Sequence, residues 1–275
     1  MPVGPRIGPA VGPRIGVALG VSEDPISAGG APVLPGVTRD ASRGIYCPAT
    51  AAEWTTVLTA AGDATGGPSA VYTFQEASGN LVDQVGTFTC AVSGTGLAYQ
   101  VTESGWTRKA ITTTEGASGL FLNTDAGLPD ISTNSCLVLT YVRTVSSISR
   151  RSIFGLGPAG SRCSAERELT TGVPVIMDFP QQASGTIDPS GVVRPWWLQI
   201  NQAASFAGIL TDQEKIVPSW SGTAAGKRLT YGILQNNCST AAYLYSAVFF
   251  NAAAEKSLAA IKSISQTLGW TIPWT

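Results

Sequence analysis

From about residue 69 onward, short apolar, β-branched and aromatic runs alternate with clusters of Gly, Asn, Asp and Ser. Residues 71–74, 87–92, 119–122, 136–143, 152–156, 196–200, 228–234 and 242–250 each read as a strand between turn signals. So many short strands in succession predict a mainly-β protein, an antiparallel sandwich or jelly roll. Two segments carry a helical period instead. Thr50 with Glu53 three residues on has the spacing of a capping box, and Gly62 supplies a stop, so a short helix is predicted over 49–61. Near the end, 252–268 is rich in good helix formers, and Leu258, Ile261, Ile264 and Leu268 fall on one face. Asn251 is placed to cap that helix and Gly269 to end it, with Trp270, Ile272 and Trp274 tucking the tail down.

The first residues follow neither period. Val3-Gly-Pro-Arg-Ile-Gly-Pro-Ala10 is repeated as Val11-Gly-Pro-Arg-Ile-Gly-Val-Ala18. Its prolines remove backbone donors and rule out a helix or a central strand. An extended apolar strip with one arginine per repeat suits a groove or a sheet edge on a partner. Val3, Arg6, Ile7, Val11, Arg14 and Ile15 are the candidate partner-binding residues of this arm, the arginines through bidentate bonds to carboxylates. The chain therefore divides into an extended arm and tether over 1–45, a short helical linker over 46–68 and a sandwich with its C-terminal helix over 69–275.

Composition narrows the chemistry. Of 275 residues 13% are charged and the net charge is -1, about half the usual charged share of a globular domain. Such a surface suits burial against other subunits, or construction from Ser, Thr, Asn and Gln. With no basic run there is no electrostatic footprint for nucleic acid. No apolar run approaches the ~18 residues of a membrane span, and no continuous apolar core marks a signal peptide. Synthesis in a cytoplasm without export is expected. The five cysteines are odd in number and widely spaced, which suits buried free thiols better than a disulfide framework. The chain has no histidine, which excludes Ser-His-Asp and Cys-His catalysis. No metal or cofactor is expected.

Remaining candidates weigh toward structure. Glu166 and Glu168 share a strand face, but beside Arg162 and Arg167 they read as a solvated charge cluster rather than a hydrolytic pair. Asn123, Asp125, Asp130 and Asp83 lie in turns, where Asx hydrogen bonding explains them as well as calcium does. Trp196 and Trp197 offer a stacking surface for a sugar, against the commoner reading of core packing. No catalytic residue is assigned.

Tyr72-Thr-Phe74-Gln-Glu76-Ala-Ser78-Gly79-Asn80-Leu81-Val82-Asp83 resembles the opening of laminin-G-like, concanavalin A-like jelly-roll domains. There an aromatic strand runs into a Ser-Gly turn and an aspartate-bearing segment. Residues 97–99, 137–143 and 244–251 fit the later strands, so the resemblance spans about 70–270. The repeated arm is similar in layout to anchoring arms of bacteriophage virion proteins. Together these imply a non-enzymatic structural subunit of a phage-like virion: capsid decoration, fibre, neck or tail accessory protein. Its partners would be other virion proteins and further copies of itself, and its location the virion after synthesis in the host cytoplasm. The alternative is a carbohydrate-binding adhesion module of the same fold, with Trp196 and Trp197 against a host-surface glycan.

Overall fold

The computed structural model describes residues 32–86, 90, 96–114, 136–145, 151–156, 163–167, 173–178, 181–188, 191–201, 206–216, 229–231, 242–250 and 256–275. The proposed partner-binding residues of the arm, together with Asn123, Asp125, Asp130 and the side chains of Glu166 and Glu168, lie outside that set.

Among the described residues every strand pairing is antiparallel. The larger sheet holds β1 (Ala70–Tyr72), β2 (Leu97–Val101), β3 (Ala110–Thr113), β4 (Cys136–Thr144), β9 (Val193–Asn201), β10 (Phe206–Thr211), β11 (Lys215–Ile216) and β13 (Ala242–Phe250). Their order is β11-β10-β9-β4-β13-β3-β2, with β1 also on β13. The smaller sheet holds β5 (Arg151–Leu156), β6 (Cys163–Arg167), β7 (Pro174–Asp178), β8 (Gln181–Ser184) and β12 (Leu229–Tyr231), in the order β12-β5-β6-β7-β8. Among the described residues the helices are α1 (Ala51–Ala60) and α2 (Leu258–Thr267).

Side-chain alternation explains the layering. On β4, Val138 and Val142 point into one apolar cluster and Leu137, Leu139 and Tyr141 into another. The first cluster lies between the sheets, where Trp196, Leu198, Ile200, Leu244 and Phe249 meet Ile153, Ala165 and Ile176 of the smaller sheet. The second lies on the opposite face of the larger sheet, under α1, α2 and the C-terminal tail, and includes Trp54, Val57, Trp197, Phe250, Ile261, Ile264 and Trp270. A strand covered on both faces has no polar face to show. That is why 136–143 reads as a nearly unbroken apolar run.

Both helix expectations hold at their cores and shift at their starts. Thr50 caps α1, its hydroxyl accepting from Glu53 N at 3.2 Å, and Gly62 follows at φ 74. The Glu53 carboxylate does not return to the cap. It accepts from Ala49 N at 3.1 Å and Thr38 N at 2.7 Å, tying the preceding segment to the helix. Helix α2 is capped by Ser257, whose hydroxyl accepts from Ala260 N at 3.1 Å, rather than by Asn251. Ile261, Ile264 and Leu268 are fully buried, and Trp270, Ile272 and Trp274 bury the tail as expected.

The segment before α1 is more than a tether. Leu34, Val37, Ile45, Tyr46 and Cys47 are buried in the same cluster as the helices. Tyr141 Oη donates to Tyr46 O at 2.9 Å, and Tyr46 Oη donates to Pro32 O at 3.0 Å. Residues from about 32 onward, α1 included, thus belong to one core with the larger sheet.

Candidate functional site

The Trp196-Trp197 pair does not face solvent. Both residues are 0% exposed and point to opposite faces of the larger sheet. Trp197 Nε1 donates to Ser265 Oγ at 2.9 Å, which fastens α2 to β9. Neither ring can receive a sugar, so the glycan contact expected at these residues is corrected: the pair is core, because adjacent strand positions alternate faces and both faces are covered. Asp83 is structural as well. Its Oδ1 accepts from Val71 N and Val85 N and its Oδ2 from Gly86 N, at 2.9, 3.0 and 2.9 Å. Among the described residues no cluster of His, Cys, Asp or Glu is placed to hold a metal ion. Cys47 and Cys90 are free and buried, and burial pushes both thiols up to about 12.

The constellation with the most chemistry lies at one end of the larger sheet. Three elements converge there: the β2–β3 connection, the last residues of β4 and the first residues of β13. Strand pairing sets Tyr243 of β13 beside Arg143 of β4 and Thr112 of β3. Arg143 Cζ lies 4.9 Å from the centre of the Tyr243 ring. Arg143 Nε contacts Glu103 Oε1 at 2.8 Å and also donates to Gly191 O at 3.1 Å. Glu103 Oε2 accepts from Tyr245 Oη. The Tyr245 ring stacks on Trp106 with centroids 4.7 Å apart, and Arg43 Cζ lies 5.8 Å from the Trp106 ring centre.

A bulge makes this arrangement possible. Pairing of β13 with β4 shifts register between Leu244 and Ser246. Strict alternation would keep Tyr243, Tyr245, Ala247 and Phe249 on one face. The extra residue instead leaves the two tyrosines on the helix-bearing face and sends Ala247 and Phe249 between the sheets.

A second scaffold holds the β2–β3 connection. Asp40 is fully buried in a turn before α1. Its Oδ1 accepts from Ser42 N, Ser42 Oγ and Arg43 N, and its Oδ2 from Thr107 N, Thr107 Oγ1 and Arg108 N. Burial pushes the Asp40 carboxyl up, but the hydrogen bonds from Ser42, Arg108, Thr107 and Arg43 outweigh it and leave the group below its ordinary value. Arg43 Nε donates to Gly105 O at 2.6 Å, and Ser42 Oγ, whose one proton is shared with Asp40, lies 2.8 Å from the same oxygen. The loop bearing Glu103 and Trp106 is therefore clamped by the segment ahead of α1.

Exposure divides the group into contact and support. The side chains of Arg143 and Glu103 are 26% and 15% exposed, and Tyr243 is half-buried. Tyr245 and Trp106 are buried beneath them. A tyrosine hydroxyl on a carboxylate has the connectivity of a nucleophile and its base. Burial, then the hydrogen bond and charge of Glu103, push the Tyr245 phenol well above its ordinary value. Sealed under Trp106 and holding its proton, Tyr245 orients Glu103 instead of attacking a substrate. Sequence reasoning placed Arg143, Tyr243 and Tyr245 on strands but could not bring them together, because their meeting depends on cross-strand register and on the bulge.

A buried ion pair marks the neighbouring interior. Arg194 Nη1 donates to Asp212 Oδ2 at 2.9 Å, with 5% and 0% of the two side chains exposed. It is closed to ligands and ties β9 to the β10–β11 turn.

No protein-family model matches the chain. No curated protein matches it either. Solved structures do. A sialidase from Trypanosoma rangeli superimposes with a TM-score of 0.54 at 8% identity, over 73% of this chain and 33% of that one. Its complex with the inhibitor DANA gives 0.54 at 9% identity, over 77% and 35%. Its complex with 2,3-difluoro-KDN gives 0.56 at 8% identity, over 89% and 38%. The chain thus spans about a third of the length of these sialidases. At such identity the likeness is one of fold: a mainly-β antiparallel sandwich with two helices. The expectation of a non-enzymatic structural subunit of a phage-like virion is overturned by these neighbours, which are glycoside-cleaving enzymes. The adhesion-module alternative rested on Trp196 and Trp197, which are sealed in the core.

Proposed function

We propose that this chain is a carbohydrate-directed β-sandwich of a glycoside-processing protein, engaging glycan at the patch formed by Arg143, Tyr243 and Glu103. The observation that carries this reading is the half-buried Arg143–Tyr243 stack, held beside a carboxylate by Tyr245 and Gly191. An aromatic ring gives an apolar surface for the C–H face of a sugar, and the arginine and carboxylate supply a donor and an acceptor for its hydroxyls. The site is preorganised, since its contact residues sit on strands and on a loop clamped through Asp40. The sialidase-like fold supports a carbohydrate setting. We read the two sheets as a concanavalin A-like jelly roll, a reading supported by the pairing of the first strand, β1, with the last, β13.

The test is a glycan-array screen of wild type and Tyr243→Ala, with the best ligand then titrated by calorimetry. Loss of the ring is expected to weaken binding about tenfold, or ~1.4 kcal/mol. Trp196→Phe, a change in the core, should leave affinity unaltered. An array without any bound glycan, or equal affinity in Tyr243→Ala, overturns the reading. Incubating the chain with aryl glycosides at catalytic concentration tells whether it also cleaves.

A further inference from the structure

We infer that this patch selects a neutral sugar presenting a vicinal diol over an acidic sugar, an inference that rests on the glycan reading above. A lone exposed arginine would favour a ligand carboxylate, which its fork binds bidentately. Arg143 is not alone. Glu103 Oε1 lies 2.8 Å from its Nε, so the positive charge is cancelled inside the patch. A ligand carboxylate drawn to Arg143 would come within a few ångströms of a second carboxylate, and like charges at that range oppose binding.

The hydrogen-bonding capacity left over is alternating. Arg143 donates its one Nε hydrogen to Gly191 O, with Glu103 Oε1 beside the same nitrogen as an ion-pair partner, and among the described residues its terminal nitrogens donate to no acceptor. Glu103 accepts one bond, from Tyr245 at Oε2, and faces Arg143 at Oε1 as an ion pair, which leaves acceptor capacity on both oxygens. A donor edge beside an acceptor edge matches two adjacent hydroxyls, one accepting from Arg143 and the other donating to Glu103. The Tyr243 ring next to them covers the apolar side of the same sugar. Tyr245 fixes the arrangement from below, because its hydroxyl spends its only proton on Glu103.

The experiment titrates the full chain with lactose, its sialylated counterpart 3′-sialyllactose and a galacturonate oligosaccharide, at low and high sodium chloride. The neutral sugar is expected to bind at least tenfold more tightly than the uronate, with less than a twofold change between salt concentrations. Glu103→Gln keeps an acceptor for Tyr245 but uncovers the Arg143 charge. It should lose about tenfold in neutral binding and gain salt-sensitive binding of the acidic probes. Arg143→Lys keeps the charge but loses the fork, and should weaken the neutral sugar without gaining the acidic ones. Tighter binding of an acidic probe by wild type, or no change of preference in a folded Glu103→Gln, overturns the inference and leaves the glycan reading standing. If all three probes and the whole array fail to bind, the glycan reading falls and takes this inference with it.

Discussion

Three carboxylates with shifted protonation shape the pH response of this fold, and one acts against the other two. Burial pushes Asp212 up to about 6, against the pull of Arg194 beside it. The folded state then holds this proton more tightly than the unfolded chain does. The group therefore contributes stability that is complete below its ordinary value and lost as pH rises through about 6. Asp40 and Asp63 act with the opposite sign. Burial raises each, but hydrogen bonds outweigh it, from Ser42, Arg108, Thr107 and Arg43 in one case and from Lys256 and Thr65 in the other. Both are left below their ordinary value, so their contribution is present above it and disappears as pH falls through the lowered one. Between about pH 6.5 and about pH 4 the denaturant midpoint should rise as pH falls, then drop steeply in stronger acid. In Asp212→Asn the slope in the upper window should vanish while the acid limb persists. Urea titrations at half-unit pH intervals check both, and an unchanged upper slope in the variant would remove Asp212 from the account. At this scale the sequence was least informative. Strand alternation sends Trp196 and Trp197 to opposite faces, but nothing in Trp196-Trp197-Leu198 tells that both faces are covered, and nothing near Asp212 announces a partner at Arg194.

Helix ends and strand runs were far more legible, because their signals are local. Thr50, Gly62 and Gly269 lie at the positions where backbone chemistry asks for them. Gly269 shows why. It closes α2 at φ 102, and a Cβ there would stand 3.1 Å from Gly44 O, a backbone atom with no easy retreat. Gly269→Ala therefore combines left-handed strain with a clash and should cost more than the ~1 kcal/mol of an ordinary glycine-to-alanine conflict. Gly62→Ala, at φ 74 with open space around it, should cost about 1 kcal/mol from backbone strain alone. Thermal melts of the two variants rank them, and a milder effect at Gly269 would deny the close approach. What the sequence hid at this scale follows from non-local causes. Strand β6 (Cys163–Arg167) looks like a polar stretch, and only its pairing with β5 and β7 makes it a strand. The bulge in β13 leaves no mark in Tyr243-Leu244-Tyr245-Ser246, yet it decides which residues reach the site. On β2 the edge strand carries another irregularity, with register lost between Ala98 and Val101 and Gln100 at φ 56. A bent edge of this kind resists pairing with a second sheet.

Across the whole molecule the larger sheet is the shared wall of two cores, and that predicts how the protein unfolds. One face packs on the smaller sheet and the other on the helices and tail, with β4, β9 and β13 supplying side chains to both clusters. Neither layer can leave without exposing strands the other needs. Trp270 is the sharpest probe of this coupling. It is buried in the helix-side cluster, and its ring meets Tyr141 of β4 at 5.3 Å between centroids. The tail beyond it is pinned by Trp274 Nε1 donating to Thr211 O at 2.6 Å and by Lys262 Nζ donating to Trp274 O at 2.7 Å. Replacing a buried tryptophan by alanine costs about 3–5 kcal/mol, a large part of the ~5–15 kcal/mol that holds a domain together. Trp270→Ala should therefore lower the melting of the entire sandwich, with far-ultraviolet circular dichroism and hydrogen exchange in β5–β8 shifting together. The proposed glycan binding should survive below the lowered transition, since Arg143, Tyr243 and Glu103 are positioned from Asp40, Tyr245 and Gly191 and not from the tail. If β5–β8 keep their protection while the helix side opens, the larger sheet does not couple the two cores and the sandwich behaves as two separable layers.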